Sequence, residues 1–262
     1  MAQFIWNLLL VLFTLLGLPA GLAWLLTIVN RHTKANLVNR YGINSQVYLG
    51  CLGIMIHELS HLILAVVFHH HIQSVRLLKL PHLNQDTGAP EDLALGYVNH
   101  TWSQSSIYQN VGNLFIGVAP IFGCTASLLG LDALLYPGLA QAIFRLADHP
   151  FDPDWSGSWT ALTTNVSSWW QLLLLLILTI LIVIGGFDLS PADYQNSSLG
   201  LSTMLIFLTV ATIIFSIFDQ QAPIILKAIT SFGFTLAMIL GYSLLVSIVV
   251  MLITRLLPQR RR

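Results

Sequence analysis

Apolar residues fall along this chain in six long blocks, separated by polar segments that differ in kind. A helix needs roughly 20 apolar residues to cross a bilayer. By that measure the blocks predict transmembrane helices near Phe4–Val29, Val47–Phe68, Val111–Tyr136, Trp169–Gly186, Leu199–Phe218 and Ile224–Leu257. The last is long enough to tilt or to begin with an interfacial piece. The first is longer than the apolar core of a signal peptide. It lacks a basic stretch before it and a small-residue cleavage pattern, so it is expected to remain as a helix. Gly17, Pro19 and Gly21 would allow it to kink.

The intervening segments predict different structures. Arg31 to Gln46 is short and basic. Residues 69–108 alternate in short pieces, Val75–Leu80 and Leu93–Val98, between the turn formers Pro81, Asn84, Gly88 and Pro90. That pattern predicts a small β-structure. Residues 137–168 carry Asp148, Asp152 and Asp154, and Trp155, Trp159, Trp169 and Trp170 lie there and at the start of the fourth span. This reads as an interfacial loop with an aromatic belt. No internal repeat and no second soluble domain is visible. The expected fold is α-helical and polytopic: one integral membrane domain over residues 1–262, with about six transmembrane helices and a small β-rich segment after the second.

Composition sharpens this picture. The chain is 55% hydrophobic and 8% charged, where soluble domains carry about 25% charged residues. Its expected place is the cell membrane, as a multi-pass protein surrounded by lipid bilayer. A formal net charge of zero gives no electrostatic basis for a nucleic-acid partner. Cys51 and Cys124 are far apart in apolar runs and form no metal or redox motif, so packing is their expected role. Cytoplasmic termini would put Arg76, Lys79, Arg255, Arg260, Arg261 and Arg262 inside, against Arg31, Lys34, Arg40, Arg145 and Lys227 outside. The terminal Arg cluster tips the choice to cytoplasmic termini.

Within the second span stands His57-Glu58-Leu59-Ser60-His61. Ionisable groups in a membrane helix are costly and need a reason to be there. Histidines at i and i+4 share a helix face at zinc-ligand spacing, and the Glu between them can handle a water proton. The bland alternative is a polar contact in which Glu58 bridges neighbouring spans. A zinc site that hydrolyses needs three protein ligands and an open position. Donors for the third are few. Gly185-Gly186 can end the fourth span and turn the chain back, which offers Asp188 or Asp193, though either could instead cap a helix or sit in a solvated turn. Asp132, just before Tyr136-Pro137-Gly138, is a weaker candidate with an expected solvated role. Asn113 and His100 could contact substrate or orient a ligand; a helix–helix hydrogen bond and an unligated loop histidine are the plain readings. His69-His70-His71 reads as a solvated helix end, with zinc delivery as the functional alternative.

The His-Glu-x-x-His helix, the β-rich segment after it, a Gly-rich span and an Asp at the end of a later span together resemble the site-2 protease family of intramembrane zinc metalloproteases. The resemblance covers Val47 to Asp193. It implies a Zn2+-dependent endopeptidase that cleaves transmembrane protein substrates, with His57 and His61 as ligands and Glu58 as catalytic base. It also implies a third ligand at Asp193, with Asp188 as alternate. Gly117 to Gly123 resembles the family's Gly-Pro segment beside the metal helix. The sequence departs from the family where Pro191-Ala192-Asp193 lacks the glycine that usually follows the Asp, and no PDZ-like insertion is present. The strand pieces could pair with an unwound substrate by β-addition. Two rivals stay open: a non-catalytic binder or regulator of the same fold, and a metal transporter. A transporter would need ionisable residues spread through the spans, which are almost lacking outside the His-Glu cluster.

Overall fold

A computed structural model describes residues 2–83, 90–217 and 222–257. The chain is mostly helical, with a small β insertion after its third helix. In order, the elements are α1 (Ala2–Leu12), a π-turn (Phe13–Gly17), α2 (Leu18–Tyr41), α3 (Ser45–Val67), β1 (His71–Arg76), β2 (His82–Leu83), β3 (Pro90–Asp92) and β4 (Tyr97–Thr101). Then come α4 (Ile107–Leu135), α5 (Pro137–Asp148), α6 (Trp155–Thr164), α7 (Trp169–Gly186), α8 (Pro191–Ile217) and α9 (Ala222–Leu256). Five helical runs among the described residues are long and apolar enough to cross a membrane: Ile5–Tyr41, Ser45–Val67, Ile107–Leu135, Trp169–Gly186 and Ile224–Leu256. A sixth is formed if the two parts of α8, bent by 46° between Ser198 and Gly200, count as one span.

The first run is continuous through the segment expected to be a short basic connection. The π-turn sits just before Pro19, where the missing N–H disturbs the helical hydrogen-bond ladder. α2 then continues to Tyr41, because Asn30, Thr33 and Lys34 are buried rather than solvated.

Contacts gather into two compact units. The first comprises Met1–Trp24, Thr125–Ile177 and Leu201–Tyr242. Here the expected interfacial loop is two helices. The start of α5 meets the end of α6, where Tyr136 Oη donates to Leu162 O at 2.8 Å and Asn165 Nδ2 to Gln141 Oε1 at 3.2 Å. Asp154 caps α6 by accepting from the Gly157 N–H at 2.8 Å. Trp155, Trp159, Trp169 and Trp170 are all exposed. Asp132 is not solvated: it is 1% exposed and accepts a hydrogen bond from Tyr242 Oη at 3.0 Å. A buried carboxyl needs such a partner, and this one comes from far along the chain.

The second unit comprises Leu25–Cys124, Leu178–Gly200 and Ser243–Arg262. Its centre is a backbone-to-backbone crossing of α3 and α7. A Cβ on Gly50 would lie 2.9 Å from Gly185 Cα, and one on Gly53 would overlap Ile182 O and Gly186 N. Small residues permit this approach, which apolar side chains of ordinary size would prevent. The end of α7 is therefore fully enclosed, with Ile182, Val183, Ile184 and Phe187 all at most 1% exposed. Asn30 of α2 ties it in, donating to Val183 O at 2.8 Å and accepting from Ser247 of α9 at 2.5 Å.

α3 ends in a left-handed turn at His69 (φ 56°). His70 N–H donates to Ala65 O at 2.8 Å and His69 N–H to Val66 O at 3.0 Å, the paired bonds of a Schellman cap. The chain then enters β1, which pairs antiparallel with β4 (Ile72 opposite His100, Arg76 opposite Tyr97), with a bulge between Ile72 and Ser74. β2 pairs with β3. The expected β-structure is thus present, but its main strands lie a few residues from the alternating pieces Val75–Leu80 and Leu93–Val98. Asn84, Gly88 and Arg260–Arg262 lie outside the described residues.

Candidate metal centre

α3 carries His57 and His61 one turn apart on its buried face, each 7% exposed. Each imidazole is held from behind by a backbone carbonyl. His57 Nδ1 lies 2.8 Å from Gly186 O, and His61 Nδ1 lies 2.7 Å from Ile116 O. A carbonyl only accepts, so both Nδ1 atoms carry the proton. Both carbonyls are available for local reasons. Gly186 is the last residue of α7, where carbonyls have no intrahelical partner. Ile116 would bond the N–H four residues on, but that residue is Pro120, inside α4.

The consequence is at the other edge of the rings. The two Nε2 atoms face each other at 3.1 Å. Asp193 Oδ1 is 3.0 Å from His61 Nε2, and Asp193 Oδ2 is 3.5 Å from His57 Nε2. Neutral imidazoles in this tautomer would aim two lone pairs at one another beside a carboxylate. A positive centre between them removes that repulsion. The three donors lie within 4.8 Å of one another and could hold a metal ion. Two imidazole nitrogens and one carboxylate oxygen suit a borderline divalent metal, with carbonyls fixing the rings.

Asp193 reaches the pair because it is also part of a helix cap. Ser190 Oγ accepts from the Asp193 N–H at 3.2 Å, and Asp193 Oδ2 accepts from the Ser190 N–H at 2.7 Å. This reciprocal arrangement is a capping box, with Pro191 at the first helical position. The carboxylate thus serves as cap and candidate ligand at once, and it is 6% exposed. Asp188 is engaged elsewhere. It pairs with Lys34 Nζ at 2.8 Å and Arg31 Nε at 3.0 Å, while Arg31 also donates to Leu189 O at 2.7 Å. These bonds anchor to α2 the short segment that leads into α8. Asp132 is not a member of the group.

Glu58 is half-buried and accepts no hydrogen bond among the described residues. Gly96, just before β4, lies against it: a Cβ there would sit 2.6 Å from Glu58 Cγ and 3.0 Å from Oε1. Glu58, both histidines, Asp193, Asn99 and His100 line one open cavity of about 800 Å³. That is room for a peptide segment of several residues.

The remaining candidates divide. His100 is at the cavity wall, with Nδ1 3.0 Å from His70 Nδ1. His70 Nε2 donates to Gln109 O at 2.9 Å, and its ring stacks on Trp102. Burial holds His70 below its ordinary value and takes His100 down to about 4. Of the tract His69-His70-His71, the outer two are exposed as a helix end should be, while His70 is 5% exposed. Asn113 is fully buried and does not line the cavity. Its amide nitrogen and oxygen have no partner among the described residues, so the expected helix–helix hydrogen bond is not formed.

Sequence reasoning missed Ser190, Pro120, Gly96 and Gln109. Two of these had a legible signal: Ser190-Pro191-Ala192-Asp193 fits the capping-box spacing, and Pro120 frees the carbonyl four residues before it. No family model, curated protein or solved structure matches this chain.

Proposed function

We propose that this chain is a polytopic membrane protein and a zinc metalloendopeptidase of the site-2 protease kind, hydrolysing peptide bonds of transmembrane substrates. The observation that carries this reading is the opposed pair of Nε2 atoms, each with its far nitrogen committed to a carbonyl, beside a buried carboxylate. His57, His61 and Asp193 would hold the zinc. When bound, zinc supplies Lewis acidity, which polarises a peptide carbonyl and makes water more acidic. Glu58, unencumbered at the wall of the same cavity, takes the proton from the attacking water and passes it to the departing amide nitrogen. Gly96 leaves the Glu58 side chain room while limiting where it can go. With cytoplasmic termini, α3 runs toward the cytoplasm and the β segment lies on that side.

The test is metal content and cleavage measured together. Purified protein should carry about one zinc per chain, and Glu58→Gln should keep most of the zinc while losing cleavage of a transmembrane peptide. Unchanged cleavage by Glu58→Gln, or zinc absent from the wild-type protein, would overturn the assignment.

A further inference from the structure

The bonding of His70 and His100 fixes a tautomer. Gln109 O accepts, so His70 Nε2 carries the proton, and a neutral His70 then presents a lone pair at Nδ1. His100 Nδ1, 3.0 Å away, must therefore be the donor between them. A proton on His100 Nδ1 leaves the neutral ring bare at Nε2. That atom has no hydrogen-bond partner among the described residues, and His100 lines the cavity that holds Glu58 and the His57–His61–Asp193 group. Burial disfavours the charged form of both rings, which keeps the relay in its neutral state at neutral pH. Stacking of His70 on Trp102 and the β-ladder pairing of His100 with Ile72 hold the two rings in register.

A histidine in an active-site wall is often a donor to developing negative charge. This one is built the other way, as an acceptor. Resting on the hydrolase reading above, we propose that His100 is a substrate-positioning residue whose Nε2 accepts a hydrogen bond from a backbone N–H of the peptide in the cavity, with His70 and Gln109 O setting its tautomer. The ligand class is an extended peptide with a free amide N–H beside the bond to be cut. An N-alkylated peptide is excluded from this contact.

The experiment uses the full-length zinc-loaded protein in detergent and two probes, a peptidyl hydroxamate and its analogue N-methylated at the adjacent amide. Wild-type protein is expected to bind the parent about tenfold more tightly, the size of one well-placed hydrogen bond. His100→Ala should bind both alike with zinc content unchanged, and His100→Gln, which retains an acceptor, should recover part of the preference. Nitrogen-15 spectra should show His100 protonated at Nδ1 and bare at Nε2 at pH 7, and His70→Leu should release that tautomer. Equal binding of both probes by wild-type protein, a preference kept by His100→Ala, or a His100 protonated at Nε2 would overturn the proposal while leaving the hydrolase reading intact. Wild-type protein that binds neither hydroxamate while carrying zinc would sink the hydrolase reading and this one with it.

Discussion

Two histidine pairs in this protein have nearly the same nitrogen separation and opposite meanings. His57 and His61 meet at 3.1 Å, and His70 and His100 at 3.0 Å. In the first pair both outer nitrogens are taken by carbonyls, so neither ring has a proton to spare for the other. In the second only one outer nitrogen is so committed, and an ordinary N–H···N hydrogen bond closes the gap. The distance between two imidazoles therefore does not identify a metal site. What decides is where the far nitrogens go, and that is set by backbone: a helix terminus at Gly186 and a proline-freed carbonyl at Ile116 on one side, Gln109 O on the other.

The largest expected effect separates the pairs outright. His57→Ala or His61→Ala should weaken metal binding by about a thousandfold or more, since each removes a ligand and leaves the other ring unmatched. His70→Ala should leave metal stoichiometry unchanged. Elemental analysis after dialysis against a weak chelator distinguishes these outcomes, and equal loss from all three variants would erase the contrast.

A smaller effect divides the two aspartates. Asp193→Asn keeps an acceptor for the Ser190 N–H but loses the charge, and should weaken metal binding by on the order of a hundredfold with little loss of fold. Asp188→Asn should do the reverse. It leaves Lys34, whose side chain is 9% exposed, without its counter-charge, and should cost about 2 kcal/mol of stability while metal binding is largely kept. Metal titrations and thermal melts on the same preparations read both.

The smallest effect is in pH. Burial lowers the folded-state values of His70 and His100, the latter to about 4 from an ordinary 6.5. Below pH 6.5 the unfolded chain binds protons that the folded chain resists, so this pair contributes stability at neutral pH that is lost as pH falls towards 4. His70→Leu with His100→Leu should flatten that part of the stability profile. A profile that keeps its slope in the double variant would assign the acid sensitivity to other groups.

The parts of the site legible in the sequence are those set by local rules. Helical spacing puts His57 and His61 on one face without further help. Hydropathy locates the long helices, yet it fails at Asn30, Arg31 and Lys34. There polar residues interrupt the apolar run without ending the helix, because Asn30 and Lys34 turn inward to Val183 O and Asp188, while Arg31, though half exposed, is tied to Asp188 and Leu189 O. Alternation finds the β segment but not its register, since Leu93 and Ala94 are exposed and the ladder begins only at Tyr97. His70 could not be told from its neighbours in a run of three, because burial of the middle one depends on a left-handed turn at His69. Nor was the Asp132–Tyr242 contact visible, since its two halves are more than a hundred residues apart.

The capping box at Ser190 also bears on how accurately a site can be built from distant helices. A ligand delivered by long-range packing inherits every small error in how helices settle, and productive geometry tolerates only about 0.5 Å. Here the last turn of adjustment is made locally. Ser190 and Asp193 fix each other through a three-residue spacing, so the carboxylate's position depends on one turn of chain more than on the whole of α8. An insertion or deletion between Ser190 and Asp193 would turn the carboxylate away from the histidines by about 100° of helix, whereas substitutions at exposed positions further along α8, such as Ile206 and Phe207, would leave its aim untouched. The tolerance of this centre to sequence change is therefore expected to be sharply graded: close to nil at Ser190, at Asp193 and in the spacing between them, narrow where Ser197 and Gly200 pack against Gly117 and Leu114, and generous at the exposed positions beyond.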